Sequence, residues 1–172
     1  FARTGEFFVS EVASDSTRTD IALVPLRGDR KPRMIVATPE IDVEARISPD
    51  GRWLAYMSGG GGRFEVFVQR TSGAGGRHQV SADFGGQPVW SPDGRTLFYR
   101  GSGNRVIAAR LVLEPEFQVT ARDTLFRRTY LGGPQTTFEI TPDGRHCLML
   151  KSGDKQSRAV LVFGWLDELR AA

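Results

Sequence analysis

One short phrase occurs three times in this chain, as Ser48-Pro49-Asp50-Gly51-Arg52, Ser91-Pro92-Asp93-Gly94-Arg95 and Thr141-Pro142-Asp143-Gly144-Arg145. The copies start 43 and 50 residues apart. A repeated unit of that length buries its apolar face against its neighbours, and roughly 40–50 residues is what one four-stranded propeller blade consumes. The phrase is itself a turn. Proline presets φ at the second position, aspartate can hydrogen-bond its own backbone, and glycine tolerates the positive φ that closes the bend. That chemistry accounts for Asp50, Asp93 and Asp143 without catalysis or metal ligation. An apolar stretch lies on each side, so each phrase reads as the hairpin between the first and second strands of a blade.

Aligning the copies exposes the core. The turns are followed by Trp53-Leu54-Ala55-Tyr56-Met57, Thr96-Leu97-Phe98-Tyr99-Arg100 and His146-Cys147-Leu148-Met149-Leu150. These are nearly continuous apolar runs, the signature of strands covered on both faces, and blades stacked around an axis provide that cover. Third strands are expected at residues 64–69, 106–112 and 159–163, and fourth strands at 77–81 and 124–128, with glycine-rich connections at 59–62, 73–76 and 101–103. Residues 6–12, 20–26 and 33–37 read as the second, third and fourth strands of a further blade. The fold class is therefore all-β: a β-propeller of four-stranded antiparallel blades, present as an incomplete arc of about three to four blades. The expected division is a partial blade at 1–40, blades at 41–83 and 84–130, a three-stranded last blade at 131–163, and a tail helix at 164–172, all in one propeller domain. The same count, with no methionine at position 1, leads to the expectation that the chain is the C-terminal part of a longer protein.

Composition excludes several function classes. With 172 residues, 40% of them hydrophobic, the chain can bury a core as one repeat array, and a net charge of +3 gives no strong field. The basic cluster Arg30, Lys31 and Arg33 lacks interleaved aromatics, so it reads as a solvated hairpin and no nucleic-acid partner is expected. No apolar run is long enough to span a bilayer. Cys147 is the single cysteine, which rules out an intrachain disulfide, and its apolar strand makes it a small buried hydrophobe. Only His78 and His146 are available as imidazole bases, no Gly-x-Ser-x-Gly elbow is present, and zinc spacing is missing. No catalytic residue, metal or cofactor is expected.

The repeat resembles the WD-like, Pro-Asp repeat of TolB-type propellers and of the propellers of prolyl-oligopeptidase-like enzymes. Several longer phrases carry a narrower likeness. These are Gly28-Asp29-Arg30-Lys31-Pro32-Arg33, the run from Ala45 to Tyr56, the run from Pro88 to Arg95 with Leu97-Phe98-Tyr99-Arg100, and Trp165-Leu166-Asp167-Glu168-Leu169. Together they look like the C-terminal propeller of certain bacterial serine/threonine protein kinases. In that family the kinase domain lies N-terminal, often followed by a membrane-spanning helix, and the propeller serves to sense or bind. The resemblance implies the extracytoplasmic side of a membrane-anchored parent. It transfers no catalytic residue. Asp83-Phe84-Gly85 spells the kinase magnesium tripeptide, yet the catalytic loop, the strand lysine and the Gly-rich loop that give it meaning are missing, and it reads as a loop between blades.

Binding is the function a propeller offers, at the mouth where its innermost strands and their loops gather. Registering the blades on the turn phrase aligns Arg46, Val89 and Glu139, with Glu44, Gln87 and Thr137 two residues earlier. Glu44, Arg46, Gln87 and Glu139 are the candidate channel residues, facing a protein or small-molecule ligand. Trp53 and Trp90 read as packing between blades. Trp165, Leu166 and Leu169 form an apolar stripe on the expected tail helix, which makes Trp165 a further partner candidate although docking on the propeller itself is the simpler reading. The open faces of an arc also lead to the expectation of a homodimer of arcs or of aggregation. The alternatives to the kinase propeller are a TolB-like periplasmic scaffold and the propeller domain of a prolyl-oligopeptidase-like peptidase.

Overall fold

A computed structural model describes residues 7–14, 18–127, 137–152 and 157–162 of the chain. Strands β1 (Phe7–Ser14), β2 (Arg18–Pro25) and β3 (Arg33–Val36) form an antiparallel three-stranded unit. The next blade is β4 (Ile41–Ile47), β5 (Trp53–Gly60), β6 (Arg63–Arg70) and β7 (Arg77–Gln79), paired in chain order. A second four-stranded blade follows, from β8 (Gly86–Trp90) through β9 (Thr96–Gly101) and β10 (Arg105–Val112) to β11 (Gln118–Arg127). The last sheet is β12 (Phe138–Ile140), β13 (Cys147–Ser152) and β14 (Ser157–Val162). A single parallel bridge, Thr19 to Ile41, ties the first unit to the blade after it. The molecule is an open arc of propeller blades built from antiparallel meanders.

Period-2 alternation explains why the middle strands are apolar throughout. On β5, Leu54 and Tyr56 pack backwards with Ile21, Val36 and Ala45. Trp53 and Ala55 face the other way, into a core with Trp90, Leu97, Tyr99, Ile107 and Leu111. On the next blade Phe98, Val106 and Ala108 turn toward Phe138, Ile140, Cys147 and Met149 of the last sheet. Each fully buried large side chain in these layers contributes about 1.5–3 kcal/mol. Side chains also reach across the seams at the outer strands. Gln69 Nε2 donates to the Ile35 carbonyl at 2.9 Å, and Arg122 Nε to the Val80 carbonyl at 2.7 Å.

The structure departs from the expected strands in three places, the first being β7, which ends at Gln79 and not at residue 81. The fourth strand expected at 124–128 begins at Gln118, because Val119, Ala121, Asp123 and Leu125 alternate inward along an outer strand whose other face is solvated. The run after the third turn is covered on one face only: Cys147 and Met149 are buried while Leu148 and Leu150 are each 40% exposed. Among the described residues no further sheet packs on that side. The glycine connection between β5 and β6 is a two-residue hairpin, Gly61 (φ 62°) and Gly62 (φ 86°), with both residues in the left-handed region such turns require. The tail helix expected at 164–172, with Trp165, lies outside the described residues.

Candidate functional site

The three Pro-Asp turns repeat one hydrogen-bond pattern. The Ser48 hydroxyl donates to Asp50 Oδ1 at 2.6 Å, Arg52 N–H donates to the same oxygen at 3.1 Å, and Trp53 N–H donates to Ser48 Oγ at 2.9 Å. The second copy reproduces these bonds through Ser91, Asp93, Arg95 and Thr96, and the third through Thr141, Asp143, Arg145 and His146. Partial burial pushes the Asp50 and Asp93 carboxyls up, but the bonds from Ser48 with Arg52, and from Ser91 with Arg95, outweigh it and hold both below the usual aspartate range. The bond from Thr141 does the same for Asp143. Gly94 (φ 70°) packs beneath Pro49 of the preceding turn, where a Cβ would lie 3.6 Å from Pro49 Cδ, and Gly144 sits likewise against Pro92. The turns therefore stack from blade to blade, and the ends of β4, β8 and β12 come together beside them.

That stacking builds a cleft of about 280 Å³ lined by Arg46, Val89 and Glu139, with Pro49, Pro92 and Pro142 among its walls. The three positions aligned by the repeat thus share one surface. Trp90, also in the wall, donates from Nε1 to the Arg46 carbonyl at 3.0 Å, which fixes one blade on the next. A guanidinium and a carboxylate facing a proline-walled groove can recognise a polar chain or a small ligand by ion pairing and hydrogen bonds.

Glu44 and Gln87, each 7% exposed, occupy a different place. Both have left-handed backbones, φ 56° and 53°, within irregularities that shift the register of β4 on β5 and of β8 on β9. That conformation directs their side chains into the seams between blades. Glu11 Oε1 accepts from Glu44 N–H at 2.7 Å, Glu44 Oε2 from Gln87 N–H at 2.6 Å, and Gln87 Oε1 from Thr137 N–H at 3.1 Å and from its hydroxyl at 2.8 Å. Strand β1 is thus hooked to β4, β4 to β8, and β8 to the residue just before β12, by one side-chain acceptor each. Burial raises the Glu44 carboxyl above the ordinary glutamate value; the bond from Gln87 and the nearby Arg46 oppose that shift, and Glu11 adds to it. The signal in the sequence is a polar residue at one register position of successive repeats, Glu44, Gln87 and Thr137. Its left-handed conformation carries no residue-type signature when glycine is not used.

The remaining chemistry-bearing residues have structural surroundings. Asp83 accepts from the Ser102 hydroxyl at 2.9 Å and from Arg105 at 2.8 Å, so Asp83-Phe84-Gly85 is a loop pinned to the following blade. His78 stacks on Phe117, with ring centroids 4.6 Å apart. His146 lies in the third turn with Nδ1 3.5 Å from Asp143. Burial, helped by Glu139, pushes the Cys147 thiol up to about 12, so it stays protonated at neutral pH. Among the described residues no group of three or more metal-ligating side chains converges, and no helix is long and apolar enough to cross a membrane.

By sequence, no protein-family model and no curated protein matches the chain. By structure it is similar to TolB from Acinetobacter baumannii, with TM-score 0.71 and 13% identity over 95% of this chain and 40% of that one. A putative TolB from Agrobacterium tumefaciens gives TM-score 0.74 and 17% identity over 96% of this chain and 60% of the other. Puromycin hydrolase gives TM-score 0.65 and 19% identity over 94% of this chain and 28% of the enzyme. The chain spans less than two thirds of each of these proteins. These likenesses establish a TolB-like β-propeller fold, which is shared by TolB proteins and by a hydrolase and so leaves function to the site.

Proposed function

We propose that this propeller is a non-catalytic binding or sensor module whose recognition surface is the cleft beside the Pro-Asp turns, and that its parent is a bacterial serine/threonine protein kinase. The carrying observation is the convergence of Arg46, Val89 and Glu139, three repeat-equivalent residues from three inner strands, on one groove. A surface assembled from several blades lets each contribute a different side chain while the scaffold stays rigid. The ligand is a protein segment or small molecule carrying complementary charges. The kinase parent rests on the phrase-level resemblance, which also implies the extracytoplasmic side of a membrane for the propeller.

Two experiments test the reading. In a thermal-shift screen of charged peptides and metabolites, ligands that stabilise the wild-type chain lose most of that effect on the Arg46→Ala/Glu139→Gln double variant. Full retention by the variant moves recognition away from the cleft. The coding sequence upstream of Phe1 decides the parent: a kinase catalytic loop followed by an apolar helix is expected. The structural likeness to TolB proteins favours one other reading, a periplasmic scaffold, and a secretory signal in place of the kinase would establish it. A hydrolase domain on the same chain would instead identify a peptidase propeller.

A further inference from the structure

At the opposite end of two of those three blades, β4–β7 and β8–β11, lies a larger cavity, of about 470 Å³, within the range of small-molecule sites. Met57, Phe64 and Phe84 give it an apolar wall, and Gly86 keeps that wall clear, since a Cβ there would come 2.9 Å from Met57 Sδ. Two charged residues line it. Arg100, on β9, is 8% exposed, and Glu44 is buried at the seam with one carboxylate oxygen already accepting from Gln87. The rim is the connection between β9 and β10, where Gly103 and Asn104 are consecutive left-handed residues, φ 63° and 59°, and the Asn104 amide oxygen lies 3.4 Å from the Arg100 guanidinium. These are the left-handed positions that a short hairpin requires, filled by the two residue types that adopt them most readily, and they hold Asn104 at the cavity mouth.

We propose that this cavity binds a small organic monoanion, a carboxylate with an apolar or aromatic body, its carboxylate on Arg100 at the Asn104 rim and its body against Met57, Phe64 and Phe84. The guanidinium offers a carboxylate a charge-assisted hydrogen bond from Nη2, the nitrogen nearest the Asn104 rim. The Glu44 carboxyl in the same cavity disfavours a second negative charge, which selects against phosphate monoesters. The apolar wall asks for a body that gains from leaving water. Arg46 and Glu11 are the other charged groups acting on Glu44, and they lie along the seam outside the cavity lining. The site is separate from the turn-side cleft, and neither proposal depends on the other.

The test is titration of the isotope-labelled full chain with phenylacetate, the neutral phenylacetamide and the dianionic benzyl phosphate, read by amide chemical shifts. Phenylacetate shifts the amides of Gly86, Gln87 and Gly101 to Asn104 saturably, in the millimolar range expected of about ten non-hydrogen atoms at modest efficiency. Both analogues bind at least about tenfold more weakly. Arg100→Gln abolishes the shifts. Because loss of a buried arginine can itself unfold the chain, Asn104→Gly serves as the second variant: it keeps the left-handed backbone, removes the amide, and weakens phenylacetate severalfold. Equal binding of phenylacetate and phenylacetamide overturns the proposal. So do shifts confined to the exposed Arg30-Lys31 loop, absence of saturation by about 20 mM, or full affinity in both folded variants.

Discussion

At the residue scale, the turn aspartates and Glu44 give the chain two pH responses of opposite sign. Asp50, Asp93 and Asp143 have folded-state pKa values below their unfolded ones. Their contribution is therefore complete above the unfolded aspartate value near 3.9 and is lost as pH falls through the lower folded value. Glu44 behaves inversely. Its folded pKa lies above the unfolded one, so the folded state holds the proton more tightly, and stability falls as pH rises from about 4.3 through the raised value. Denaturant midpoints measured across acid and neutral pH should show Asp93→Asn with a shallower acid limb than wild type. Glu44→Gln keeps an acceptor for Gln87 N–H and removes the buried charge, so it should match or exceed wild-type stability at neutral pH. Glu44→Ala, which strands that N–H, should lose about 1–3 kcal/mol. A Glu44→Gln variant as unstable at neutral pH as Glu44→Ala would show that the seam needs the charge itself.

At the scale of the strand, the two-faced core separates positions that look alike in sequence. Leu97 and Leu150 both follow a Pro-Asp turn on the second strand of a sheet, yet Leu97 is fully buried and Leu150 is 40% exposed. Leu97→Ala should cost about 2–5 kcal/mol in denaturant unfolding, while Leu150→Ala should stay within about 1 kcal/mol. Comparable losses would mean that the last sheet is covered on both faces after all. The contrast also marks what was legible in the residues. The turns could be read because Pro49, Asp50 and Gly51 fix their own geometry within five residues, and the blade meander followed from their spacing. The start of β11 could not, because Thr120, Arg122 and Asp123 make an outer strand look like a loop. Nor could the seam role of Glu44 and Gln87, since it depends on a neighbouring blade one repeat away. Arg46, Val89 and Glu139 converged as their register required, because the stacked turns carry that register from one blade to the next.

At the scale of the whole molecule, the question is what covers the outer face of β13. Leu148 and Leu150 alternate with the buried Cys147 and Met149, so the face they share is built like a blade face turned to solvent. Their remaining exposure offers about 1 kcal/mol per leucine on burial, too little alone to offset the several kcal/mol that association costs in lost freedom. Association of two arcs must therefore recruit the wider sheet face, and it should emerge only as concentration rises. We expect light scattering coupled to size exclusion to give a mass that climbs from monomer toward dimer between about 10 μM and 1 mM. The Leu148→Lys/Leu150→Lys variant should stay monomeric over that range with an unchanged circular dichroism spectrum, because both side chains already reach water and two added ammonium groups repel their copies across the interface. A wild-type chain of constant monomer mass would show that this face is already satisfied within the chain. A variant that still dimerises would move the interface to another part of the arc, such as the side bearing Met34, which is also exposed.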